Sequence, residues 1–119
     1  MFDDTKPIFL QLAERIADDI LHGTYAEGSQ VPSTNEFAAF FRINPATAGK
    51  GVNLLVDQEI LFKKRGIGMF VAEGAKNRIA AERESGFLTG FVQPLLAESE
   101  ALGLSLPQTI SLIEQEAKR

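Results

Sequence analysis

Residues 31–71 read VPSTNEFAAFFRINPATAGKGVNLLVDQEILFKKRGIGMFV. Ser33-Thr34-Asn35-Glu36 fits a capping box, with a serine oxygen on a backbone N–H and a glutamate reaching back. Phe37, Phe40 and Phe41 follow at helical spacing and predict one bulky apolar face directed at a core. Arg42-Ile43 reads as a turn. Asn44 is a favoured N-cap and Pro45 a favoured first helical residue, so a new helix should begin sharply at Pro45. Its inner side should carry Val52, Leu55 and Val56, and its outer side Ala46, Thr47, Lys50 and Asn53. Gly49 and Gly51 each weaken such a helix by about 1 kcal/mol relative to alanine. Leu61–Lys64 and Met69–Val71 are strand candidates, joined by Arg65-Gly66-Ile67-Gly68 with glycine where positive φ is needed. The order is helix, turn, helix, hairpin: a winged helix-turn-helix.

The flanks complete this module. Ile8, Leu12, Ile16 and Ile20 recur at four-residue steps and predict a helix over Pro7–Leu21, stopped by Gly23. His22–Ser29 reads as a loop. After Ala75 the pattern is helical again, with Ile79, Arg83, Phe87, Phe91 and Leu95 in one row. Pro94 should kink that helix, and Gly103 should end it. Ser105-Leu106-Pro107-Gln108 opens a last helix with a second capping box, and Leu106, Ile110, Ile113 and Ala117 share its apolar face. Two such helices hold too few residues for a core of their own, so they must pack elsewhere. The expected fold is mainly α with a small β-hairpin: a winged helix-turn-helix over residues 1–75 and a two-helix C-terminal dimerisation tail over 76–119. Phe87, Phe91, Leu95 and Leu102 are the expected dimer contacts.

Composition narrows the function classes. The chain has 119 residues, 45% hydrophobic and 24% charged, enough to bury a core. No cysteine is present, which removes disulfides and thiolate metal sites, and the single histidine leaves little for zinc. No nucleophile–histidine set and no phosphate loop is visible, so the chain does not read as an enzyme, and no cofactor or metal is expected. Gly66-x-Gly68 lacks the third glycine and the helix of a dinucleotide fingerprint. The start, MFDDTKP, is acidic where a signal peptide is basic, and no apolar run is long enough for a membrane span. A cytoplasmic location is the expectation. The net charge of −4 is unevenly spread. Residues 42–66 carry Arg42, Lys50, Lys63, Lys64 and Arg65 against Asp57 and Glu59, and this basic window coincides with the second helix of the pair and the hairpin.

Taken in order, four motifs resemble the GntR family of bacterial winged-helix transcription regulators, in particular its short YtrA type. They are Lys6-Pro7-Ile8 with Gln11 and Ile16-Ala17, Gly28-Ser29-Gln30-Val31-Pro32-Ser33, Ile43-Asn44-Pro45-Ala46-Thr47, and Gly66-Ile67-Gly68-Met69-Phe70-Val71. The resemblance covers roughly the first 75 residues strongly, and the tail agrees in its two-helix pattern. It implies a DNA-binding regulator, expected to act as a homodimeric repressor on an inverted-repeat operator. Thr47, Lys50, Arg65, Gly66 and Gly68 match the family pattern. Asn35 stands where the family usually has arginine, so no guanidinium fork is available there. Gly49 and Met69 also depart from it.

On this reading Ser33, Thr34, Lys50 and Lys64 are the phosphate-contact candidates, helped by the helix N-termini. Asn35, Arg42, Asn44, Ala46 and Thr47 are candidates for base edges. Arg65 is the candidate for the minor groove, with Gly66 and Gly68 allowing close approach. The partners expected are duplex operator DNA and a second copy of the chain. The short tail leaves little room for a large ligand domain, and the place expected for a small-molecule effector of unspecified identity is between the tail and the DNA-binding domain. The competing reading is a winged-helix protein-interaction module without DNA, consistent with Asn35, Gly49 and the acidic total.

Overall fold

The computed structural model describes residues 2–119, which divide into two compact units between Ala81 and Glu82. In the first, α1 (Ile8–Leu21) precedes β1 (Gln30–Val31), α2 (Thr34–Phe41), α3 (Pro45–Asp57), β2 (Leu61–Lys64) and β3 (Gly68–Val71). Then α4 (Ala75–Phe87) leads through a π turn (Leu88–Val92) into α5 (Gln93–Ala101), followed by α6 (Leu106–Ala117). This is the mainly helical winged helix-turn-helix with C-terminal helices that the sequence predicts.

The core of the first unit follows from the apolar spacings. Leu12, Ile16 and Ile20 of α1 are buried, while Ile8, one step earlier in the same row, stays partly open. They meet Phe37 of α2, Val52 and Leu55 of α3, Leu61 and Val71 of the sheet, and Ile79 of α4 in one cluster. Each large side chain fully withdrawn from water stabilises the fold by about 1.5–3 kcal/mol. Helices α1 and α3 lie so close that a Cβ built on Gly51 would sit 2.8 Å from the Phe9 carbonyl oxygen. Gly51 is therefore a contact between two backbones. Gly49 is not: its Cβ would meet only the Thr34 methyl at 3.6 Å.

Both predicted caps form. Ser33 Oγ accepts from the Glu36 N–H at 3.0 Å, and Glu36 accepts from the Ser33 N–H at 2.9 Å. Asn44 Oδ1 accepts from the Ala46 N–H at 2.8 Å, with Pro45 in the first turn. The turn between α2 and α3 is made by Arg42, which holds a left-handed backbone at φ 56, ψ 49 without being glycine. The expected three-phenylalanine core face is corrected at one position. Phe37 is buried and Phe41 half-buried, but Phe40 is 70% exposed and lies edge-on to Phe41. An eight-residue helix capped at both ends presents only part of its circumference to the core, and Phe40 falls outside that arc.

The wing has three strands rather than two. Gln30 and Val31 pair antiparallel with Phe70 and Met69, giving the order β1-β3-β2. On the other side of β3, Leu61 to Lys64 pair with Val71 to Gly68. Leu61 and Val71 face the core, and Phe62 stacks on Phe70 across the sheet. The loop before β1 also caps α4. Glu27 accepts from the Gly74 N–H at 2.9 Å and the Lys76 N–H at 3.1 Å. Arg78 of α4 donates to the carbonyls of Glu59 and Glu73, both at 2.9 Å.

The two backbone donors of Gly74 and Lys76, in that order, hold the Glu27 carboxyl below the ordinary glutamate range. A carboxylate whose proton affinity falls on folding contributes stability above its unfolded pKa and loses it as the pH drops through its folded one. Glu27→Gln should therefore lower the melting temperature near neutrality and shrink the loss on acidification. Melting curves of both proteins, taken from neutral into the acid range, check this. Parallel curves would remove Glu27 from the account.

In the second unit the helical backbone continues through Val92 and Gln93, and the turn just before Pro94 is a π turn. There the Gln93 N–H bonds the Leu88 carbonyl. Gly103, at φ 74, ends α5. Ser105 and Gln108 form the second capping box. Ser99 and Thr109 hydrogen-bond each other between α5 and α6, and Thr109 also donates to the Ser105 carbonyl. These two are the only buried residues among the described residues of 82–119. Phe87, Phe91 and Leu102 are 59%, 67% and 66% exposed, and Leu95, Ile110 and Ile113 are also open. No helix among the described residues is long and apolar enough to cross a membrane.

Candidate nucleic-acid interface

The packing of α2 on α3 brings most of the candidate residues together. Thr34, in the first turn of α2, faces Gly49 of α3, so Ser33, Thr34 and Asn35 sit beside the N-terminal half of α3. That half carries Ala46, Thr47 and Lys50. Asn35, Ala46 and Lys50 are exposed, whereas Thr47 is half-buried, so its side chain is less open than its outward position in the sequence suggests. The N-terminus of α2, with its positive dipole end, thus lies against the flank of α3.

The caps divide the work of two candidates. Ser33 Oγ and Asn44 Oδ1 are used as acceptors inside their own helices. The asparagine NH2 is not used by the cap and is a donor, the polarity that suits phosphate oxygens, whereas the serine hydroxyl also bonds the Glu36 carboxylate. Glu36 is turned back onto Ser33. The backbone N–H of Ser33 is the main cause that holds its carboxyl below the ordinary range. Arg42 is not part of the Ser33 group. It lies at the opposite end of α2, next to Asn44 in the turn, and is exposed.

Lys50 places its ammonium 4.2 Å from the centre of the Phe9 ring on α1. This cation–π contact, which the sequence did not suggest, directs the charge along an open groove of about 450 Å³ beside α3. At the wing, Lys64 lies 4.2 Å from the Phe70 ring centre and 5.8 Å from that of Phe62. Its ammonium thus rests over the aromatic pair in a cation–π contact at an exposed residue. Arg65 and Gly66 occupy the exposed tip, closed by a turn in which the Ile67 N–H donates to the Lys64 carbonyl at 2.9 Å. Gly66 has φ 78 with open space where a Cβ would be, and Gly68 has φ 144. The hairpin therefore gathers Lys64, Arg65, Gly66 and Gly68 at one end.

Two contributors escaped the sequence reading. Gln30 reaches from β1 to the wing tip, where Nε2 donates to the Ile67 carbonyl at 3.0 Å. Phe9 orients Lys50. Both are long-range contacts, and no local spacing signals them.

Comparison with known proteins agrees with this geometry. The pattern described as "Bacterial regulatory proteins, gntR family" matches residues 9–71, which run from α1 to the end of the wing. A GntR-family structure from Bacteroides thetaiotaomicron is similar over 94% of this chain and 97% of its own, with TM-score 0.80 and 38% identity. The transcriptional repressor YtrA of Bacillus subtilis is 25% identical over 93% of this chain and 85% of its own length. The DNA-binding domain of AraR, solved in complex with operator ORX1, superposes on 60% of this chain and 93% of its own, with TM-score 0.57 and 28% identity. Several other curated regulators are longer, and this chain spans under a third of their length. The chain belongs to the gntR family of bacterial regulatory proteins and is a winged-helix, DNA-binding regulator of transcription.

Proposed function

We propose that the chain is a homodimeric repressor of the short YtrA type that binds an inverted-repeat operator. Residues 1–75 serve as the DNA-binding domain and 76–119 as the dimerisation tail. The observation that carries the dimer is the tail's open apolar surface, since 82–119 buries only Ser99 and Thr109. Apolar faces of this kind are covered in soluble regulators, and a second copy of the same helices is the self-complementary cover. The match to YtrA over nearly all of both chains supports the subtype and the sense of regulation. Room for a small-molecule effector exists in a groove of about 470 Å³ between α5 and α6, lined by Leu96, Leu104, Leu106 and Thr109.

In this reading α3 enters the major groove. Asn35, Arg42, Asn44, Ala46 and Thr47 face base edges, and Ser33, Thr34, Lys50 and Lys64 hold phosphates. Arg65 enters the minor groove, with Gly66 and Gly68 allowing the backbone to come close. Two-fold symmetry makes the half-sites dyad-related. Selection of duplexes from a random pool, followed by footprinting, should return an inverted repeat. Neutralising about three phosphates per subunit gives a log–log salt slope near −5 per dimer. A single asymmetric site, or binding indifferent to salt, would overturn the arrangement.

Wing and helix should separate by mutation. Arg65→Ala should weaken binding to operator variants of the same minor-groove shape alike, because arginine there reads width and potential. Thr47→Val should change preference at one base position in each half-site. Each should cost about 1–3 kcal/mol. Titrations against single-base operator variants decide the point, with melting curves as controls because Thr47 is half-buried. Variants that bind like the parent would show that the surface is misassigned.

A further inference from the structure

We propose that Gln30 is a positioning residue for the wing, holding the tip in the shape that meets DNA. The inference rests on the DNA-binding reading above. Gln30 belongs to the two-residue strand β1, and its backbone pairs with Phe70. Its side chain runs along the hairpin to the tip, where Nε2 donates to the Ile67 carbonyl at 3.0 Å. The path exists because residue 68 is glycine. A Cβ on Gly68 would stand 2.4 Å from Nε2 and 3.4 Å from Cδ of Gln30. Gly68 thus has a second role beside its φ of 144: it leaves the channel through which Gln30 reaches the turn.

The clamp acts where order is scarce. The tip residues Arg65, Gly66 and Ile67 are exposed, and beyond the Lys64–Gly68 strand pair the turn is closed by the backbone bond from the Ile67 N–H to the Lys64 carbonyl. Gly66 confers conformational freedom on that turn. A second bond on the Ile67 carbonyl, from a strand outside the hairpin, removes part of that freedom before binding. Ordering a loop in advance lowers the cost of association. Arg65 is the side chain that benefits, since it stands in the turn that the two bonds define.

Gln30→Met keeps the length of the side chain and removes its donor. Because Gln30 is exposed, the melting temperature should stay at the parent value. In the free protein, amide exchange at Arg65, Gly66 and Ile67 should quicken. Operator affinity should fall about five- to tenfold, the worth of one hydrogen bond and its preorganisation. Minor-groove protection opposite the wing should be lost while major-groove protection beneath α3 remains. A residue that only supported the sheet would not separate the two footprints. Gln30→Glu, which keeps shape and polarity, should behave alike if the methionine variant melts early. Gly68→Ala removes the same clamp from its other side, so adding Gln30→Met to it should cost no further affinity. Normal tip exchange and normal affinity in Gln30→Met would overturn the proposal. A parent chain that ignores duplex DNA would overturn the DNA reading and with it the purpose of the clamp. The exchange arm would still report whether Gln30 orders the tip.

Discussion

Phe91→Asp should convert the protein into a monomer and lower operator affinity by about two to four orders of magnitude. Phe91 is 67% exposed, packs against Phe87 at 5.9 Å between ring centres, and stands in the π turn. In the proposed dimer it lies within the apolar face that two tails share. A carboxylate there would have to be desolvated without a partner, which costs several kcal/mol, enough to empty an interface of ordinary strength. The effect on DNA follows from geometry. With one tail paired to another, binding the first half-site holds the second winged unit near its own, and the second event is intramolecular. Monomers lose that advantage with every DNA-facing residue intact. Sedimentation at micromolar concentration and operator titration are the two measurements. Phe40→Asp is the control, an equally open phenylalanine in the winged unit, and it should leave the assembly unchanged. If Phe91→Asp sediments like the parent, the dimer does not form through this face.

Gly51→Ala and Gly49→Ala should move stability in opposite directions. The added methyl at position 51 meets the Phe9 carbonyl oxygen at 2.8 Å and Leu12 Cδ2 at 3.3 Å. A backbone oxygen cannot swing aside, so α1 and α3 must separate, at a cost of about 2–3 kcal/mol. That would lower the melting temperature by roughly 10 °C or more in a unit of this size. At position 49 the methyl meets only the Thr34 methyl at ordinary contact distance. The better helix propensity of alanine should then add about 0.5–1 kcal/mol. A thermal melt of each single variant is sufficient. Shifts of the same sign would mean that the α1–α3 approach is misplaced.

These two glycines show where sequence reading stops. Both lie in the same helix, two residues apart, and both weaken it equally by propensity. Only the neighbour across the gap tells them apart, and that neighbour is on α1. The same division runs through the whole chain. Ser33 with Glu36, Asn44 with Pro45, and Ser105 with Gln108 were legible because a cap and its partner lie within three residues. The hairpin was legible because Gly66 and Gly68 mark the backbone that a tight turn requires. Strand β1 was not, since two residues show no alternation and its partner is found about forty positions later. Glu27 reads as one more loop carboxylate until the chain folds the start of α4 onto it. Phe40 matches the spacing of its neighbours but not their burial, because a short helix turns only a narrow arc inward. Among the candidate DNA contacts, residue type and cap position indicated which side chains to consider. The routing of Lys50 over Phe9 and of Gln30 to the wing tip emerged only from tertiary structure.

The left-handed backbone of Arg42 sets two selective pressures against each other. An ordinary side chain in that conformation costs about 1 kcal/mol relative to glycine, so a lineage screened for heat resistance alone should drift toward glycine at the α2–α3 turn. A lineage screened for operator recognition should retain the guanidinium, because glycine would remove one of the basic groups at the start of α3. Which residue survives in populations grown under each regime would register the worth of that charge to the living cell.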